Sequence, residues 1–266
     1  MDASREQVTS ADGTRIGFER MGQGPPLVAI HGGVADRTRW LAVAGALAEA
    51  HTLILLDRRG RGLSADEAEG GYALGREVDD LDAVIAAVGG SARVLAHSYG
   101  GLVALEAMAS GSALERAVIY EPAFDTPGQE TFPPTILGRV DELIGAGERE
   151  AALELFFREV VGADDAMISS LKETPVWAAR VAAVHTITRE GVVVRDVGFD
   201  PGRFADLNVP VRLLIGSESP EPLKASTRAA HAAVPGSELV ELEGQGHAAM
   251  DTGTEAFLSA VLEFLH

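Results

Sequence analysis

Cysteine is absent from the 266-residue chain, which excludes a disulfide, a thiolate zinc centre, an iron–sulfur cluster and a cysteine nucleophile. Long apolar runs are absent too: none approaches the roughly 18 residues of a membrane span. The opening Met1-Asp2-Ala3-Ser4-Arg5-Glu6 lacks the basic-then-apolar pattern of a signal peptide, so a soluble, cytoplasmic protein is expected. Positive charge is scarce, with 22 Lys+Arg against 40 Asp+Glu and a formal balance of −18. That balance repels phosphate backbones and anionic lipid, so neither nucleic acid nor membrane is expected as a partner. The single basic cluster, Arg58-Arg59-Gly60-Arg61, is short and reads as a structural turn. No Pro/Ser/Gly-rich linker divides the chain, and its length suits one α/β core.

What is present is an alternation of short apolar runs with longer helical patterns, the signature of a mostly parallel sheet wrapped by helices. The runs are Leu27 to Ile30, Thr52 to Leu56, Arg93 to Ala96, Ala117 to Tyr120, Val211 to Ile215 and Glu238 to Leu242, each read as a strand covered on both faces. Helical patterns lie at Trp40 to Glu49, Arg76 to Val88, Gly100 to Ala109, Leu223 to Ala233 and Thr254 to Leu265. Near the start, Asp12-Gly13 separates two strand-like runs and predicts an edge hairpin. After Glu121 the rhythm breaks at Pro122, Pro127, Pro133 and Pro134, and helical patterns follow at 135–144, 148–161, 164–171 and 175–188. The expected organisation is a core of residues 1–121 and 206–266 with a helical cap or lid, residues 122–205, inserted between the sixth and seventh strands.

The stretch Val94-Leu95-Ala96-His97-Ser98-Tyr99-Gly100-Gly101 takes a buried strand into a helix through a very tight turn. Only small residues fit beside a nucleophile held in such a turn, and Ala96 and Gly100 meet that requirement. The stretch resembles the nucleophile elbow of the α/β-hydrolase family, with Ala96 in place of the usual first glycine. Two further motifs stand in family order: Ile30-His31-Gly32-Gly33 resembles the loop that supplies an oxyanion-hole donor, and Asp57-Arg58-Arg59-Gly60-Arg61-Gly62-Leu63-Ser64 resembles a turn that carries no chemistry. The resemblance implies Ser98 as nucleophile and the backbone N–H groups of Gly33 and Tyr99 as the oxyanion hole, with Val34 as the neighbouring alternative. His31 shapes its loop. Near the C-terminus, Gly244-Gln245-Gly246-His247 resembles the family's Gly-His loop and implies His247 as general base. His51, His97, His185, His231 and His266 are read as packing or surface residues, His185 being the one that could reach substrate.

The third member of the triad departs from the family pattern. The usual Asp position after Gly216 holds Ser219, which cannot balance an imidazolium. Glu121, at the end of a central strand where some relatives carry their acid, is the preferred replacement, with Glu218 as competitor. The implied activity is acyl transfer without metal or cofactor, hydrolysing a small-molecule carboxylic ester, thioester or lactone through an acyl-enzyme. A serine at the elbow argues against the aspartate chemistry of haloalkane dehalogenases and epoxide hydrolases. Two alternatives stay open because fold does not settle function: a biosynthetic tailoring enzyme that cleaves carbon–carbon bonds or cyclises, and a ligand-binding degenerate hydrolase. The chain has nine Phe, three Tyr and two Trp. Of these, Trp40, Tyr99, Phe124, Phe132, Phe156, Phe157 and Trp177 are the candidates for an apolar substrate wall, beside Val34.

Overall fold

The computed structural model describes residues 3–66 and 71–266. Eight strands, β1 (Ser4–Thr9), β2 (Arg15–Met21), β3 (Pro26–Ile30), β4 (Thr52–Leu56), β5 (Ala92–His97), β6 (Leu114–Tyr120), β7 (Val211–Gly216) and β8 (Glu238–Leu242), form one sheet. Their order is β1-β2-β4-β3-β5-β6-β7-β8. The pairs β1–β2 and β2–β4 are antiparallel and all others parallel. This is the doubly covered, mostly parallel sheet expected of an α/β-hydrolase fold.

Both faces of the sheet are buried because alternate residues of each strand enter different cores. Val28, Ile30, Ile54, Leu56, Val94 and Ile119 pack with helices α2 (Leu74–Val88) and α3 (Tyr99–Ala109). Leu27, Ala29, Leu53, Leu55, Leu95 and Val118 pack with α1 (Leu41–Ala50) and α11 (Thr254–Leu265) on the other face. The strand β8 departs from the reading of a strand covered on both faces. It lies at the sheet edge with Glu238, Leu239 and Glu241 exposed, since only β7 pairs with it.

Between β6 and β7 run α4 (Pro134–Gly145), α5 (Arg149–Phe156), a π-helical turn (Phe157–Val161), α6 (Asp165–Lys172), α7 (Val176–Ala183) and α8 (Thr186–Val197). The single helical pattern expected over 175–188 is two helices, and the second continues to Val197. The run Val192-Val193-Val194 is a poor helix former by propensity, but burial of Ile187, Glu190 and Val194 overrides that preference. Two further helices, α9 (Glu221–Ala233) and α10 (Ala249–Thr252), follow β7 and β8.

The insertion is tied to the sheet by buried charge. Glu190 of α8, only 1% exposed, accepts from Arg58 Nη2 at 2.9 Å and also from Arg61. Arg58 donates in addition to both oxygens of Glu77 on α2, at 3.1 and 2.7 Å. Burial alone would strip the Arg58 charge, yet Glu190 and Glu77 more than offset it and hold the proton more tightly than usual. The basic cluster is thus an internal clamp. Replacing one partner leaves buried guanidinium charge uncompensated, so Glu190→Gln is expected to lower unfolding free energy by about 3–5 kcal/mol. A urea midpoint equal to that of wild type would refute this.

Candidate active site

Three side chains from three different loops meet at the carboxyl ends of the parallel strands. Ser98 lies between β5 and α3 with φ 55° and ψ −123°. This left-handed, strained conformation is enforced by close packing, because a Cβ on Gly100 would meet the Ile30 carbonyl oxygen at 2.5 Å. Glu121 directly follows β6, is fully buried and has φ 48°. Its amide extends the ladder by donating to the Leu214 carbonyl at 3.2 Å, so the carboxylate is aimed across the top of β7. There Oε1 accepts the Gly216 N–H at 2.7 Å and Oε2 accepts from His247 Nδ1 at 2.5 Å. His247 sits on the loop after β8. Its other nitrogen, Nε2, takes no part in that contact, and both His247 and Ser98 line one cavity.

Glu218 is exposed and pairs with no histidine, while Ser219 occupies the family's usual acid position as a buried hydroxyl. Of the two carboxylates weighed from sequence, Glu121 is the one that contacts His247.

The loop after β3 packs against the elbow, and a Cβ on Gly32 would lie 2.8 Å from Ser98 Cβ. Gly33 and Val34 follow, both lining the cavity, with Val34 at φ 47°. Together with Ser98 and Glu121, Val34 completes the set of non-glycine residues with positive φ among the described residues; Val34 and Ser98 line the cavity, and Glu121 contacts His247, which lines it too. Tyr99 opens α3, so its N–H belongs to the unpaired first turn at the positive end of the helix. Its side chain points away into the buried clamp, where its hydroxyl accepts from Tyr72 at 2.8 Å and Arg58 covers its ring at 4.3 Å.

The loop that carries His247 is held from two sides. Tyr120 donates its hydroxyl to the Gly246 carbonyl, and His97 Nε2 donates to the His247 carbonyl at 2.9 Å. The His97 and His247 rings lie 4.4 Å apart. Burial, then the nearby His247 and Arg39, push the His97 pKa well below the usual histidine range, so it serves as a neutral donor. Sequence reading took His97 for simple packing; the only hint was its place beside Ser98. His31 is likewise neutral, Nδ1 donating to the Gly32 carbonyl at 2.8 Å while Nε2 accepts the Arg58 N–H at 3.1 Å. Burial and the charges of Arg61 and Arg58 lower its pKa.

The cavity holds about 390 Å³. Phe132, Phe156, Phe157, Val160, Val161 and Leu223 supply its apolar wall. Four aromatics expected there are placed elsewhere, Tyr99 in the clamp being the first. Trp40 is buried in the core beneath the sheet, edge-on to His97 at 6.4 Å. Phe124 stacks on Phe199 at 4.3 Å, away from the cavity. Trp177 stacks behind Phe157 at 6.1 Å, one layer removed. Large rings gain most by complete burial, so helical spacing pointed to core and not to a ligand wall. Half-buried His185 pairs with Asp66 outside the cavity. Among the described residues, no group of three or more His, Asp or Glu side chains converges as a metal site requires, and no helix is long and apolar enough to cross a membrane.

A sheet of this topology, with an elbow serine, a histidine after the last strand and a carboxylate on a neighbouring strand end, defines a class. Residues 27–260 match the model of the alpha/beta hydrolase family, and the chain belongs to that family. In structure it is similar to an alpha/beta hydrolase from Sphaerobacter thermophilus, with a TM-score of 0.85 and 33% identity over 98% of this chain and 100% of that one. It is 33% identical over 137 residues to N-formylmaleamate deformylase from Pseudomonas putida, a match covering 50% of this chain and 51% of that protein. It is 24% identical to the pimeloyl-[acyl-carrier protein] methyl ester esterase of Aeromonas hydrophila over 94% of this chain and 99% of the relative. These relatives group it with hydrolases of the fold.

The two buried neutral histidines make stability depend on pH. In the unfolded chain each takes up a proton near pH 6.5, whereas in the folded protein each does so only at lower pH. The unfolded state therefore binds more protons as pH falls below 6.5, and stability present at neutral pH is lost at up to about 1.4 kcal/mol per pH unit for each histidine. Urea unfolding at pH 7.5, 6.5 and 5.5 is expected to show this slope, and His97→Gln to make it shallower. A slope unaltered by that substitution would contradict the neutral assignment of His97.

Proposed function

We propose that this protein is a serine hydrolase that cleaves a small-molecule carboxylic ester, thioester or lactone through an acyl-enzyme. The observation that carries the reading is the Glu121–His247 contact at 2.5 Å beside an elbow serine on the same cavity. With Nδ1 of His247 donating to Glu121, Nε2 takes the Ser98 proton as Oγ attacks the substrate carbonyl. The carboxylate opposes the positive charge that the imidazole then carries. Negative charge developing on the carbonyl oxygen is met by the Tyr99 N–H at the start of α3 and by the Gly33 N–H, with that of Val34 adjacent. His247 returns the proton to the leaving alcohol or thiol, and a water activated by the same base releases the acid. The helical insertion acts in this scheme as a lid that walls the cavity with Phe132, Phe156 and Phe157.

Relatives that hydrolyse a methyl ester and an N-formyl amide support hydrolysis at a carbonyl carbon as the shared chemistry. The engaged carboxylate favours turnover over the ligand-binding alternative, whose motive was Ser219 in the usual acid position. Incubation with a fluorophosphonate probe should add one adduct by intact mass, absent from Ser98→Ala. Wild type should hydrolyse p-nitrophenyl acetate or butyrate. Glu121→Gln should lower kcat by at least a hundredfold, consistent with loss of the group that orients the base, while Glu218→Gln should change it by less than about twofold. Equal, mild losses from both carboxylate variants would overturn the role given to Glu121.

A further inference from the structure

In a chain of net charge −18, the charged groups that line the cavity are two arginines, Arg39 and Arg180, and one aspartate, Asp251. Asp251 accepts from Arg39, which leaves the guanidinium of Arg180 as the surplus charge. Arg180, on α7 of the insertion, makes neither a hydrogen bond nor an ion pair with the described residues, and its only ring contact is with Phe157, 5.3 Å from the guanidinium carbon. It is half-buried and lines the same cavity as His97, Ser98 and His247. Burial, then repulsion from Arg39, lowers its pKa to about 10, although Asp251 and Asp36 work in the opposite direction. Arg39, Arg180 and Asp251 also line an adjoining groove of about 340 Å³, so the two arginines stand where the cavity meets its outer approach.

A guanidinium partly withdrawn from water without a counter-ion destabilises the free protein. Groups kept under such strain are characteristic of ligand sites, where function opposes stability. Guanidinium matches carboxylate through two parallel N–H bonds, and the otherwise apolar wall disfavours a second charge on the substrate.

We propose that Arg180, with Arg39 beside it, binds a carboxylate carried by the substrate, so that the preferred substrate is a carboxylate-bearing ester, the half-ester of a short dicarboxylic acid being the simplest form. This deepens the serine-hydrolase reading and rests on it for the scissile bond. In it, Arg180 recognises the end of the substrate remote from the reacting carbonyl.

The test compares monomethyl with dimethyl glutarate and adipate as substrates for wild type, Arg180→Met and Arg180→Lys. Methanol release is followed, together with melting of the ligand-free proteins and of Ser98→Ala with each compound. Wild type should prefer the half-esters. Arg180→Met should lose at least about tenfold more kcat/KM on half-esters than on diesters, mainly through KM, and Arg180→Lys should recover part of that difference. Ligand-free Arg180→Met, which keeps the apolar stem over Phe157, should melt about 2–4 °C above wild type. Half-ester should stabilise Ser98→Ala but not the double variant that also carries Arg180→Met.

Equal losses on both ester types, or a lower melting temperature for Arg180→Met, would overturn the proposal and make Arg180 structural. Stabilisation of Ser98→Ala by inorganic phosphate but not by half-ester would overturn the choice of carboxylate. Turnover of both esters without discrimination would sink the carboxylate site and leave the hydrolase reading intact. Half-ester stabilisation that requires Arg180, without turnover of any ester, would uphold the site and sink the hydrolase reading.

Discussion

A guanidinium taken out of water must find its counter-charges inside the protein, and the turn after β4 buries three of them. Arg58 joins Glu77 of α2 to Glu190 of α8, Arg59 holds Asp80 of α2 at 2.7 Å and Asp12 of the β1–β2 turn at 2.9 Å, and Arg61 shares Glu190. Because a lone buried charge costs several kcal/mol, these pairings are obligatory and fix the distance between sheet, helix and insertion. The clamp reaches the site directly: Arg58 covers the Tyr99 ring, and a Cβ on Gly33 would lie 3.3 Å from Glu190 Oε2. Elbow, oxyanion loop and insertion thus share one set of charges.

On that frame the backbone carries local strain around the candidate site. Ser98, Val34 and Glu121 all adopt positive φ without being glycine, a conformation that costs of order 1–3 kcal/mol each and persists only where the surroundings over-determine it. The surroundings here are strands that continue the ladder on either side, glycines that allow close approach, and the clamp beneath. Strain turns Ser98 up above the sheet and sends the Glu121 carboxylate sideways across β7 instead of along β6. The His97 and Tyr120 hydrogen bonds to the loop after β8 complete the alignment by fixing His247 from the protein side.

Arg180 stands apart from this self-satisfied network. Every guanidinium of the clamp is paired, whereas the one on α7 has no partner among the described residues and lines the cavity. In the proposed scheme, charge balance at the site is completed by substrate, which couples recognition to an insertion whose other walls are apolar.

Period and punctuation in the chain were enough to specify the strands, most of the helices, the edge hairpin, the run of helices between β6 and β7 and the tight turn at Ser98. Each of these depends on local patterning: apolar runs for buried strands, small residues for a tight turn. Ser98 and His247 were legible for the same reason, because their loops are built from glycine. Glu121 could be preferred over Glu218 from its place at a strand end, but the choice depends on which carboxylate reaches His247, a distance between segments far apart in sequence. Trp40, Phe124 and Trp177 were drawn to the cavity by composition and are core in the fold, where complete burial of a large ring is most favourable. Nothing local marked Arg180, whose significance is the absence of a partner among the described residues. Sequence by itself determined the architecture and the chemistry-bearing loops, because those follow from short-range sterics and hydrophobic period. Tertiary structure decided which carboxylate contacts His247, which side chains wall the cavity and which cation lacks a partner among the described residues, because desolvation and hydrogen-bond satisfaction are properties of the assembled neighbourhood.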